Sequence, residues 1–159
     1  MYCDKVLGKA TDPQFAGLHV DHVDIEWHEA FSRLHRKKSY DGEDVGIHMG
    51  NEVLSKGLNQ DDVIYADGEK ILAVNIPPCE AICARVSKDH PQQIAKLCYE
   101  VGNTHTTMFR GEDDYTFYTP YYDSLFLKLS NIHGVNLEKV TMRFDFSKAL
   151  SSSISGHHH

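Results

Sequence analysis

The sequence predicts an α+β protein: a β-rich N-terminal half, then a half in which helices and strands alternate. Three observations carry this. Short apolar runs of period two, punctuated by Asp-Gly pairs, fill residues 20–76. Pro77-Pro78 then breaks the pattern, because neither residue can donate to a ladder. Beyond it, apolar residues recur twice at helical spacing, around Leu97 and around Leu125.

The elements follow in order. Val23, Ile25 and Trp27 alternate with Asp24 and Glu26, the period of a half-buried strand. The basic run Arg33 to Lys38 leads through Asp41-Gly42 to Val45, Ile47 and Met49, which reads as a hairpin. A second hairpin joins Val63 and Tyr65 through Asp67-Gly68 to a strand, Ile71 to Ile76, apolar enough to be buried on both sides. A short helical turn is expected near Val53 to Lys56.

After the prolines, Ile82, Ala84 and Val86 alternate as a strand. Asp89 and Pro91 open a helix, Asp89 as cap and Pro91 in the first turn. Its Ile94, Leu97, Cys98 and Val101 share one face, and Gly102 is expected to stop it in a left-handed conformation, so that His105 emerges in a loop. Strands are expected at Thr106 to Arg110 and Tyr115 to Thr119. Pro120 then starts a helix, with Tyr122, Leu125, Phe126 and Leu129 on one face and Gly134 as its stop. A last strand covers residues 140–146, where Val140, Met142, Phe144 and Phe146 alternate with polar residues. The order is β-α-β-β-α-β, the split arrangement of a ferredoxin-like domain. The expected organisation is therefore residues 1–76 as a β-rich domain, 77–146 as a ferredoxin-like domain and 147–159 as a serine-rich flexible tail ending in His157, His158 and His159.

Composition narrows the function. A formal charge of −7 disfavours nucleic acid or an anionic membrane surface as the main partner. No stretch approaches the roughly 18 apolar residues of a membrane span, and the N-terminus does not read as a secretory signal, so the chain reads as cytoplasmic. The four cysteines, Cys3, Cys79, Cys83 and Cys98, lack zinc-ribbon spacing and read as buried reduced thiols. Eleven histidines are well above ordinary usage and make a borderline metal ion a candidate ligand. A single imidazole after a helix is more often a surface residue than a ligand, so His105 needs context.

That context is a resemblance. The β-rich first domain, the joint at Ile76-Pro77, the ferredoxin-like second domain, the segment Leu97 to His105 and the histidine-bearing tail occur in the order of the UreE family of urease accessory nickel metallochaperones, across nearly the whole chain. The family pattern before its nickel histidine is Gly-Asn-Arg-His; Gly102, Asn103 and His105 match, and Thr104 takes the place of the arginine. The resemblance implies a homodimer formed through the second domain, with His105 of each copy meeting at the interface as the central Ni(II) ligand. It implies further donors among His157, His158 and His159, and delivery to the accessory GTPase and the urease apoprotein complex. Zn(II) or Cu(II) would also bind such nitrogen donors in vitro. The histidine pair that some members carry after the central motif is not found here, where Phe117, Tyr118, Thr119 and Tyr121 stand.

Blander readings stand beside these. The terminal histidines could be the remnant of a tag. His19, His22, His28, His35, His48 and His90 read as surface or capping residues, with His22 and His28 able to share a strand face, and His133 would favour the negative end of the second helix. Glu112-Asp113-Asp114 reads as a solvated turn, and the aromatic group from Tyr115 to Tyr122 as core or dimer surface. A metal hydrolase would need fixed ligands and a general base, and there is no H-E-x-x-H. The remaining alternative is a metal-independent protein-interaction adaptor whose histidines are incidental.

Overall fold

The computed structural model describes residues 1–151, so His157, His158 and His159 lie outside the described residues. Among these the chain divides into two compact units, Met1–Pro77 and residues 78–151. Helices and strands mix throughout, in keeping with the expected α+β class.

The first unit contains β1 (Tyr2–Cys3), β2 (Gly8–Lys9), β3 (His19–Asp24), β4 (Leu34–Lys38), β5 (Asp44–His48), the single turn α1 (Val53–Lys56), β6 (Asp62–Ala66) and β7 (Lys70–Asn75). They form a three-stranded sheet in the order β1-β5-β4 and a four-stranded sheet in the order β2-β6-β7-β3. Both expected hairpins are present. In the first, Gly42 supplies a φ of 91° between β4 and β5. In the second, the Asp67 carboxylate makes the turn, accepting the N–H groups of Glu69 at 2.8 Å and Lys70 at 2.9 Å. β7 lies between β6 and a parallel β3, and its Ile71, Leu72, Ala73 and Val74 are fully buried. The strand expected to run through Trp27 stops at Asp24. Glu26 and Glu29 form a capping box around a 3₁₀ turn, Trp27–Glu29, which takes Trp27 and His28 off the ladder, so His22 and His28 do not share a strand.

The second unit contains β8 (Cys79–Val86), α2 (Gln93–Asn103), β9 (Phe109–Arg110), β10 (Thr116–Pro120), α3 (Asp123–Leu129) and β11 (Val135–Met142). The sheet order is β11-β8-β10-β9, with each neighbouring pair antiparallel. Ile82, Ala84 and Val86 of β8 meet Leu97 and Val101 of α2, Phe117 of β10 and Leu125 and Leu129 of α3 in one core. Burying a side chain such as Leu97 stabilises by roughly 1.5–3 kcal/mol, and this attachment rather than helix propensity holds α2.

Several boundaries differ from expectation. Asp89 does not cap α2; its N–H is held by the Ser87 hydroxyl, and two turns precede the helix, whose N-cap is Gln92. The strand expected from Thr106 is reduced to Phe109–Arg110. Pro120 ends β10, paired in register with Ala81, and α3 starts at Asp123. The last strand is shifted earlier, because Phe144 leaves the ladder to stack on Phe109 with ring centres 4.4 Å apart. Ser147 to Leu150, expected in the tail, remain attached to this unit. Asp145 caps a 3₁₀ turn there, Ala149 bridges Phe109, and the Leu150 N–H bonds the Met108 carbonyl at 2.8 Å.

Candidate metal centre

His105 sits immediately beyond α2. Gly102 was expected to end this helix by turning left-handed, but Gly102 and Asn103 are its last residues, and the left-handed conformation falls on His105 itself, with φ 58°. The turn is tied to the end of the helix. The Val101 carbonyl accepts the Thr104 N–H at 3.2 Å, the Thr104 hydroxyl at 2.7 Å and the Thr106 N–H at 3.4 Å, while the His105 N–H reaches the Gly102 carbonyl at 2.9 Å. The Thr104 and Thr106 hydroxyls are 2.8 Å apart and close the turn from the other side. Because Val101 is fully buried, these bonds anchor the loop to the core while the His105 side chain stands exposed.

A non-glycine residue in this conformation costs on the order of 1 kcal/mol, and histidine is among the residues enriched there. Such strain collects at functional positions.

Among the described residues no three His, Cys, Asp or Glu side chains gather closely enough to hold a metal ion. His105 therefore belongs to no such group among the described residues. The thiols are not prepared as ligands either. Burial pushes Cys98 up, with Arg110 opposing, and raises Cys83; burial takes Cys3 to about 11, so these sulfurs stay protonated at neutral pH. Cys3 and Cys83 are buried, as expected, whereas Cys79 and Cys98 are half-buried.

The other histidines have local engagements. His19 pairs with Asp41 at 2.7 Å, His35 meets the Ser32 carbonyl at 2.9 Å, and His48 lies 3.4 Å from the Arg33 guanidinium. Glu112 accepts the Tyr118 hydroxyl, and Asp113 accepts the Tyr115 N–H and the Thr116 hydroxyl, so the acidic cluster builds its turn. One arrangement escaped the sequence: the rings of His90 and His133 meet edge to face with centres 4.8 Å apart. They come from separate loops, and no local spacing signals their contact.

The described chain contains no helix long and apolar enough to cross a membrane. Comparison with known proteins places it more sharply. The family model for the N-terminal domain of the UreE urease accessory protein matches residues 3–77. The urease accessory protein UreE of Flavobacterium johnsoniae is 34% identical over 159 residues, covering 100% of this chain and 91% of that protein. The chain belongs to the UreE family of urease accessory proteins. UreE of Helicobacter pylori strain HPAG1 is 30% identical over 154 residues, covering 97% of this chain and 88% of its own length, and UreE of Helicobacter acinonychis is 29% identical over the same length. UreE is an accessory family and not a catalytic one.

Proposed function

We propose that this member of the UreE family is a nickel-binding metallochaperone that delivers Ni(II) for assembly of the urease active site. The carrying observation is His105: an exposed imidazole held in a left-handed turn, anchored through Thr104 to the buried Val101 at the end of α2. Its placement suits a site completed from outside the subunit. One imidazole is no metal site, but a two-fold axis through a dimer of the second, ferredoxin-like unit supplies two, and Ni(II) accepts further nitrogen donors. His157, His158 and His159 are the donors this reading assigns for the remaining positions.

An incomplete site shared between subunits suits a carrier, which has to release its metal as well as hold it. The first unit serves as the protein-binding module, with the urease accessory GTPase and the urease apoprotein complex as recipients in the cytoplasm. Zn(II) and Cu(II) would compete at the same imidazoles in vitro.

The deciding experiment is nickel titration by calorimetry, with mass by light scattering, on the wild type, His105→Ala and a chain ending at Ser153. One tight nickel per dimer, abolished by His105→Ala and weakened by truncation, supports the carrier. Binding that survives His105→Ala and disappears with the tail rejects His105 as the centre. Normal urease activation by a variant lacking both His105 and the tail would instead support the metal-independent adaptor.

A further inference from the structure

We propose that His90 and His133 form a second divalent-metal site, a two-imidazole chelate independent of His105. His90 precedes α2 and His133 follows α3; one hydrogen bond shapes the first loop and two join it and the start of α2 to the second. The His90 N–H bonds the Ser87 carbonyl at 2.9 Å, the Ser87 N–H bonds the Gly134 carbonyl at 2.7 Å, and the Gln93 side-chain amide donates to the His133 carbonyl at 2.7 Å. Gly134 makes the close approach possible. Its φ is 83°, and a Cβ there would stand 3.1 Å from His90 Cβ and Cδ2.

The ring spacing is that of a chelate. With metal–nitrogen bonds of about 2.0–2.1 Å, imidazoles in adjacent coordination positions hold their ring centres roughly 5 Å apart; here the centres are 4.8 Å apart. Rotation about each Cβ–Cγ bond redirects the nitrogens while leaving the ring centres nearly in place, so the spacing of the rings does not have to change for both to face one ion. His133 is exposed and His90 half-buried, which leaves water to fill the other positions. Neutral imidazole selects a borderline cation such as Ni(II), Cu(II) or Zn(II) over Mg(II) or Ca(II). α2 separates this pair from His105 by its length of about 16 Å, so one ion cannot serve both.

The test uses the full chain carrying His105→Ala together with His157→Ala, His158→Ala and His159→Ala, so that failure of the nickel-carrier reading, which is read on His105, is distinguishable. Calorimetric titration with Ni(II) should still find one ion per chain. Either His90→Ala or His133→Ala should weaken it by about tenfold or more, because a chelate loses its second, pre-positioned donor. No binding in the background, binding unchanged by both substitutions, or binding weakened by only one of them overturns the proposal. A measurement that needs no substitution checks against misfolding: substoichiometric Cu(II) added to the wild type should broaden the ring resonances of His90 and His133 together. Broadening of His105 with His90 and His133 left sharp overturns it.

Discussion

The Thr104 hydroxyl donates to the Val101 carbonyl at 2.7 Å and locks the last turn of α2 to the loop that presents His105. The same carbonyl also receives the Thr104 and Thr106 N–H groups, so one acceptor gathers three donors at the helix end.

Replacing Thr104 by Val keeps the side-chain shape and removes this hydroxyl. The loss should be about 0.5–1 kcal/mol, a fall in melting temperature of about 1–4 °C at this chain length. Amide exchange at Thr106 should accelerate more than exchange at Leu97, because the loop loosens before the helix does. An unchanged exchange rate at Thr106 would show that the backbone bonds alone hold the turn.

His105 holds a conformation that glycine adopts without strain. His105→Gly should therefore raise stability, or leave it unchanged, by up to about 1 kcal/mol in thermal denaturation, while the imidazole is lost. Nickel binding at the proposed centre should disappear in the same variant. A gain in stability together with loss of binding would show that the strained turn is retained for its side chain; a marked loss of stability would show that the ring itself supports the fold.

The sequence made α2 legible because Leu97 and Val101 both enter the core at helical spacing, with Ile94 and Cys98 packed at its edge. It did not reveal which residue would turn left-handed. Gly102 was the natural candidate by propensity, yet the Val101 core contact carries the helix past it and shifts the turn to His105. β1 and β2 are two residues each and too short to show a period. The start of β11 is hidden in the sequence because Val135 to Lys139 lie on an edge strand whose burial is only partial, while Phe144 keeps the apolar alternation after the ladder has ended. Contacts between loops distant in sequence, such as His90 with His133, leave no periodic trace at all.

Gly57 should be intolerant of any side chain. Its φ is 69° and an added Cβ would stand 2.8 Å from Phe31 Cζ, in a ring that is itself only 8% exposed. Gly57→Ala combines backbone strain with overpacking and should cost about 2–3 kcal/mol. Gly42→Ala is the control: its φ is 91° but nothing lies within 4 Å, so strain alone should cost about 1 kcal/mol. Equal melting temperatures for the two variants would show that Phe31 can move aside.

Acid should destabilise the first unit through Asp21, which is 1% exposed. Burial alone would raise its pKa, but the neighbouring Ser39 hydroxyl, the N–H groups that Asp41 and His22 donate to one carboxylate oxygen, and Lys70 hold it below the ordinary 3.8. The sign follows from the depression. Above about pH 3.8 both states are ionised and the full contribution is present; as pH falls, the unfolded chain takes up its proton first, and the stabilisation is lost until the folded carboxyl protonates as well. Glu29 acts in the same direction: burial opposes ionisation, and Lys37 at 2.7 Å together with the Glu26 N–H overcomes it. Asp21→Asn should therefore lower stability at pH 7 by about 1–2 kcal/mol and flatten, without abolishing, the loss below pH 3.8. Thermal melts from pH 7 down to the acid limb read both effects. An acid slope as steep in the Asn variant as in the wild type would place the sensitive carboxylates elsewhere.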